Sequence, residues 1–217
     1  MKRLRENSLS LIFFLLFILS LGGQAYTGWK EYNEERMHEK GQTLNFSSYL
    51  STPHFFSATF ENWESEFLQM ALFVVLSIFL YQKGSSESKD PDDKDEVDNE
   101  PDRLKKDAPW PVRAGGLVLG LYKNSLSIVL FLLFAISMLG HFASSLKDYN
   151  QEQILRHQPT ETAAQYLAGS RFWFESFQNS QSEFLSVLAI VALSIYLRQK
   201  GSPQSKPVDA PHQQTGE

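Results

Sequence analysis

Asn7-Ser8-Leu9-Ser10, Phe14-Leu15-Leu16-Phe17, Ser65-Glu66-Phe67-Leu68 and Gln82-Lys83-Gly84-Ser85 each occur twice. They return 117 positions later as Asn124-Ser125-Leu126-Ser127, Phe131-Leu132-Leu133-Phe134, Ser182-Glu183-Phe184-Leu185 and Gln199-Lys200-Gly201-Ser202. Between these anchors, residues 7–85 align with 124–202 without a gap, and roughly two positions in five are identical. Self-similarity of that extent reads as a tandem duplication. Each copy consists of an apolar run, a polar loop rich in aromatic residues, and a second apolar run. The fold class that follows is all-α integral membrane. It comprises four transmembrane helices arranged as two tandem parallel repeats, each with a short interfacial helix in its outer loop.

Whole-chain averages hide this pattern. A mean hydropathy of −0.27 over 217 residues suggests a water-soluble protein, but local windows decide membrane insertion. The net charge of −5 lies largely in one connecting segment. The chain lacks the basic field that nucleic acid requires. Having no cysteine, it can form neither disulfides nor thiolate metal sites, and it holds no cysteine nucleophile.

The first run, Leu9 to Leu21, follows a basic start (Lys2, Arg3, Arg5) and precedes Gly22-Gly23-Gln24-Ala25, a sequence that resembles a signal-peptide cleavage region. Its counterpart from Leu126 to Gly140 lies mid-chain, where no signal peptide operates, so the expected spans are residues 9–29 and 124–146. The loops then carry an aromatic patch, Tyr49, Phe55, Phe56 and Phe60, answered by Tyr166, Phe172, Trp173 and Phe177. Too short and polar to span, the patch predicts a short helix in the outer interface, with a re-entrant segment as the alternative.

The second runs need upstream residues to reach spanning length, which predicts spans over 62–81 and 179–198. That start makes Asn62 and Asn179 candidate helix caps and puts Glu66 and Glu183 about one turn inside the membrane. Two readings compete for these four residues: capping of a helix end, or a polar site within the bilayer. Glu61, Glu64, Gln178 and Gln181 are not acids in both copies and read as ordinary interfacial residues.

The chain divides accordingly into a membrane repeat at 1–84, an acidic, disordered cytoplasmic linker at 85–113, a second membrane repeat at 114–201 and a disordered tail at 202–217. Pro109-Trp110-Pro111 and the apolar stretch 114–121 read as an anchor along the inner interface. Of twenty Lys and Arg, six lie in the two interhelical loops (Lys30, Arg36, Lys40, Lys147, Arg156, Arg171). That bias places both termini and the linker in the cytoplasm. Small residues on the first span of each copy (Ser10, Ser20, Gly23; Ser127, Ser137, Gly140) offer close helix approach.

Catalytic patterns are absent from the sequence. None of the five histidines has a histidine at the equivalent position, and no phosphate loop or nucleophile elbow occurs. The expectation is no catalytic residue, no cofactor and no metal. His141, opposite Gln24, reads as an interfacial polar residue. The doubled motif Asn62-Trp63-Glu64-Ser65-Glu66-Phe67-Leu68 and Asn179-Ser180-Gln181-Ser182-Glu183-Phe184-Leu185, preceded by an aromatic loop, resembles a family of uncharacterised bacterial inner-membrane proteins. That resemblance implies a multi-pass protein of the bacterial cytoplasmic membrane and brings no activity with it. The functional expectation is a non-enzymatic structural or interaction protein. Its partners would be the lipid bilayer and a second copy or another membrane protein. The alternative is a small pseudo-symmetric transporter or channel that uses Glu66 and Glu183.

Overall fold

The computed structural model describes residues 2–39 and 41–216, and among these the regular structure is entirely helical. In chain order the helices are α1 (Lys2–Glu6), α2 (Ser8–His38), α3 (Phe46–Tyr49), α4 (Pro53–Leu76), α5 (Trp110–Ala114), α6 (Gly116–Lys123), α7 (Ser125–Leu155), α8 (Ala163–Ala168) and α9 (Arg171–Leu193). Two of them, α2 and α7, are long and apolar enough to cross a membrane. At 31 residues each they measure ~46 Å, against ~30 Å of hydrocarbon. The excess length is their polar C-terminal ends. Of the most apolar eighteen residues, 6% are buried in α2 and 17% in α7. A core helix of a water-soluble domain would hide most of them.

Helices α4 and α9 differ from the expected spans. Each begins well before the predicted start, at Pro53 and Arg171, and fuses the aromatic patch to the apolar run in one continuous helix. The start of α4 has a sufficient local cause. Thr52 accepts the Phe55 amide at 3.2 Å through its hydroxyl, and Pro53 fits the first helical position, where no amide is needed. The apolar halves, from Phe67 and Phe184, are roughly ten helical residues long, ~15 Å. Short helices do form in the interhelical loops, as α3 and α8, but they hold only the first ring of each patch.

The chain forms two compact units, Met1–Glu61 with Met138–Trp173, and Asn62–Ser137 with Phe174–Glu217. The first unit holds both interhelical loops. In it, α2 and α7 close by the same bond: Gly41 N–H donates to Arg36 O at 2.7 Å, and Gln158 N–H to Gln153 O at 2.8 Å. Five-residue closure of this kind needs a left-handed residue just before the donor, and His157 supplies it at φ 54°. Its counterpart Lys40 lies outside the described residues. Of the small residues expected to admit a neighbour, Gly140 lies under the Phe60 ring, whereas nothing approaches Gly23.

In the second unit the helix ends at 82–89 and 199–206 share one turn. The Ser88 and Ser205 hydroxyls accept the Gln82 and Gln199 amides at 2.8 and 2.9 Å. Gly84 and Gly201 both have positive φ, 88° and 84°. The correspondence thus runs past Ser85 and Ser202, into segments whose composition predicts disorder. Lys206 is 1% exposed, its ammonium donating to the carbonyls of Gly84, Pro211, His212 and Gln214. Its counterpart Lys89 pairs with Asp98 at 2.7 Å instead.

Candidate functional site

The continuous α4 and α9 move the four candidate residues away from any helix end. Asn62 and Asn179 lie within helices, so neither caps one, and Glu66 and Glu183 are several turns from the first-turn position a helix dipole would favour. Ser65 and Ser182 donate to the carbonyls of Asn62 and Asn179 at 3.0 and 2.8 Å, tying each motif to its own helix. The structure brings the carboxyl groups of Glu66 and Glu183 next to each other. Glu66 is exposed and Glu183 half-buried. Glu64, expected at the interface, is 5% exposed.

The two interhelical loops carry the more elaborate construction. In the first, the Asn33 side chain receives the Leu44 amide at 2.7 Å and returns a hydrogen bond to the Leu44 carbonyl at 2.8 Å. In the second, Asn150 does the same to Glu161, at 2.7 and 2.8 Å. Both pairs are 117 positions apart. A short helix follows each clamp, capped by Asn45 in one loop and Thr162 in the other. That helix delivers Tyr49 or Tyr166, 1% and 2% exposed, onto the tyrosine that immediately precedes the clamp asparagine. The ring centroids are 5.6 Å apart for Tyr32–Tyr49 and 5.5 Å for Tyr149–Tyr166. Phe55 and Phe172 also pack on Tyr49 and Tyr166, at 5.7 and 6.4 Å.

Beside the rings, a cleft of about 370 Å³ opens among charged side chains of α2 and α7. Arg156 bridges Glu39 at 2.5 Å and Glu152 at 2.6 Å, and Arg171 reaches Glu152 at 3.0 Å. Arg36 donates to the Gln42 carbonyl at 2.7 Å and lies over Tyr32 as Arg171 lies over Tyr149. All three guanidiniums are therefore occupied in holding the loops. Lower on α7, His141 is fully buried against Phe172 at 4.9 Å, not interfacial. A carboxylate oxygen of Glu61 lies within 4.8 Å of one of its ring nitrogens. Nothing in the sequence announced the Asn33 and Asn150 clamps, the Glu39–Arg156 pair or the burial of His141. Only the Glu152–Arg156 spacing of four gave a signal in advance.

Over residues 1–217 the chain matches the family described as a domain of unknown function (DUF6766), and it belongs to that family. The match takes in the linker and tail together with the doubled segments. No curated protein and no solved structure matches the chain.

Proposed function

We propose that the chain is a four-span protein of the bacterial inner membrane, built from two tandem repeats and serving a structural or interaction role without catalysis. The observation that carries this reading is the doubled clamp. The clamp asparagines are spent on loop backbone and the guanidiniums on carboxylates and a backbone carbonyl, which ties each outer loop into a built head. Two residues also meet their own counterparts, Glu39 with Arg156 and Glu66 with Glu183, and such self-pairing is what a twofold relation between repeats produces. Both termini and the linker lie in the cytoplasm in this reading, and the clamps face outward. A second copy or another membrane protein is the partner that the outer head would meet.

The absence of cysteine makes topology directly testable. Single cysteines placed at Ser47, Ser48 and Ser202 are exposed to a membrane-impermeant thiol reagent in intact cells. Reagent outside the cell reaching Ser47→Cys and Ser48→Cys but not Ser202→Cys is the expected result. Labelling of all three from that side rules out the proposed orientation.

A second reading has one observation in its favour, the proximity of the Glu66 and Glu183 carboxyl groups between apolar helix segments. In it, the pair conducts protons or couples them to a solute. Glu66→Gln with Glu183→Gln in reconstituted protein separates the two: the structural reading expects unchanged flux and a lower unfolding temperature. A lost proton or solute flux with unchanged stability overturns it.

A further inference from the structure

We infer that residues 103–123 form a membrane-surface collar that recognises anionic lipid headgroups, an inference that rests on the membrane reading and adds a lipid class to it. Val112 of α5 and Leu119 of α6 pack together with Ala108, just ahead of α5, as the buried cluster of this segment. The sharp join between the two helices is at Gly115, whose φ of 69° suits glycine and whose missing Cβ leaves room for the Arg103 guanidinium. This packing uses up one face only. In α6, Leu117, Val118, Leu121 and Tyr122 are all exposed, Leu117 at 89% and Leu121 at 64%. At spacings of one, four and five residues they form a single apolar face, with Leu117 and Leu121 opposite Leu119 and Tyr122 at the edge beside it. Trp110 on α5 is exposed as well, at 66%.

Two observations identify what covers that face. The first is continuity: only Asn124 separates α6 from α7, a helix apolar enough to cross a bilayer, so α6 must lie where α7 leaves the hydrocarbon. The second is charge. Lys105, Lys106 and Arg113 are exposed and make no ion pair among the described residues, whereas Lys123 is taken by Glu100 at 2.6 Å. Of the nearby acids, Asp102 accepts the Leu104 amide, and Asp107 is exposed. An apolar face with an indole at one end and uncommitted cations beside it fits the acyl–headgroup boundary of a leaflet bearing negative lipids.

The test uses the full chain in nanodiscs with Trp110 as sole tryptophan, after Trp29→Phe, Trp63→Phe and Trp173→Phe. Discs contain phosphatidylcholine alone or with phosphatidylglycerol, and brominated lipids serve as quenchers. Trp110 emission should shift to the blue and be quenched by bromines near the headgroup, more strongly with phosphatidylglycerol. Lys105→Gln, Lys106→Gln and Arg113→Gln together should abolish the lipid dependence, at about fivefold in docking per cation removed. Equal quenching in both lipids overturns headgroup recognition. Shielding of Trp110 that grows with the number of chains per disc, without bromine quenching, overturns it in favour of a second copy. A companion protein with Trp110→Phe and Leu132→Trp reports on α7. Deep quenching at position 132 with none at 110 refutes the collar alone, and none at either refutes the membrane reading.

Discussion

The two interhelical loops, 39–52 and 156–170, are built on the same anchors and finish differently around their central tyrosine. Tyr49 and Tyr166 occupy equivalent places on equivalent rings, and both hydroxyls are buried with a partner. In the first loop that partner is His54, at 3.2 Å from its Nδ1. In the second it is Ser145 of α7. The position equivalent to Ser145 is Gly28, and a Cβ built there would run into the Tyr49 hydroxyl. A buried phenol needs a hydrogen-bond partner wherever it sits. The packing surface has been kept, while the partner has changed sides: serine on the helix in one loop, histidine from the following helix over a glycine gap in the other.

The largest effect should come from closing that gap. Alanine in place of glycine ordinarily stabilises a helix by up to ~1 kcal/mol. Gly28→Ala should instead destabilise by about 1–3 kcal/mol, because the new methyl must displace the Tyr49 hydroxyl from a filled site. Adding Tyr49→Phe removes the obstructing oxygen, so the double variant should be more stable than the sum of its parts predicts. Thermal unfolding in detergent measures all three. In the second loop, Ser145→Ala removes the hydroxyl that meets Tyr166 and should cost about 1–3 kcal/mol. Gly28→Ala matching the parent in stability would show that the glycine gap does no work.

The asparagine clamps sharpen the comparison further. Leu44 O accepts from Asn33 and also from the Trp29 indole at 2.7 Å, whereas the second loop has Leu146 at the position equivalent to Trp29. Asn33→Ala therefore leaves the first carbonyl one donor. Asn150→Ala takes the amide donor from the second carbonyl with no indole to stand in for it. Each loss should cost about 1–2 kcal/mol, with Asn150→Ala the larger, and Trp29→Phe with Asn33→Ala should erase the difference. Hydrogen exchange at the amides of Leu44 and Glu161 reads the clamp directly, since both amides are released in the alanine variants.

These contacts mark the limit of what the chain disclosed beforehand. The internal identity and the long apolar helices α2 and α7 were legible because periodic apolar runs and internal identity are properties of sequence alone. The aromatic patch was visible too, but its role was not, because a ring in an interfacial helix and a ring closing a loop onto α2 have the same composition. Asn33 and Leu44 are eleven residues apart with no turn motif between them, so nothing local announces their pairing. Asn62 looked like a cap because asparagine is among the residues favoured just before a helix. The true start at Thr52-Pro53 carried its own signal, obscured by reading the aromatic patch as a separate element. The Glu66–Glu183 contact depends on packing between distant helices. From sequence, only the equivalence of the two residues could be known.

The smallest effect under ordinary conditions, and the most specific, concerns the Tyr49 phenol. Its pKa is pushed up to about 12, first by burial and then by the negative charges of Asp148 and Glu31 and by Tyr32. The folded state thus favours the neutral phenol over the phenolate more than the unfolded chain does. For a group of this kind the stabilisation is fully present below the unfolded value near 10 and is lost as pH rises from there toward about 12. Stability of the parent should accordingly fall more steeply across that window than stability of Tyr49→Phe, which has no phenol to ionise at this place. Lysine and arginine titrate in the same range, but equally in both proteins, so the difference between the two curves isolates Tyr49. Asp148→Asn, which removes the largest charge contribution, should lower the pKa and move the steep part of the curve to lower pH. Absorbance of the phenolate in the near ultraviolet locates the transition independently of unfolding. Coincident pH profiles for the parent and Tyr49→Phe would mean that the ring is solvated in solution, and with it the reason for a glycine at position 28 would disappear.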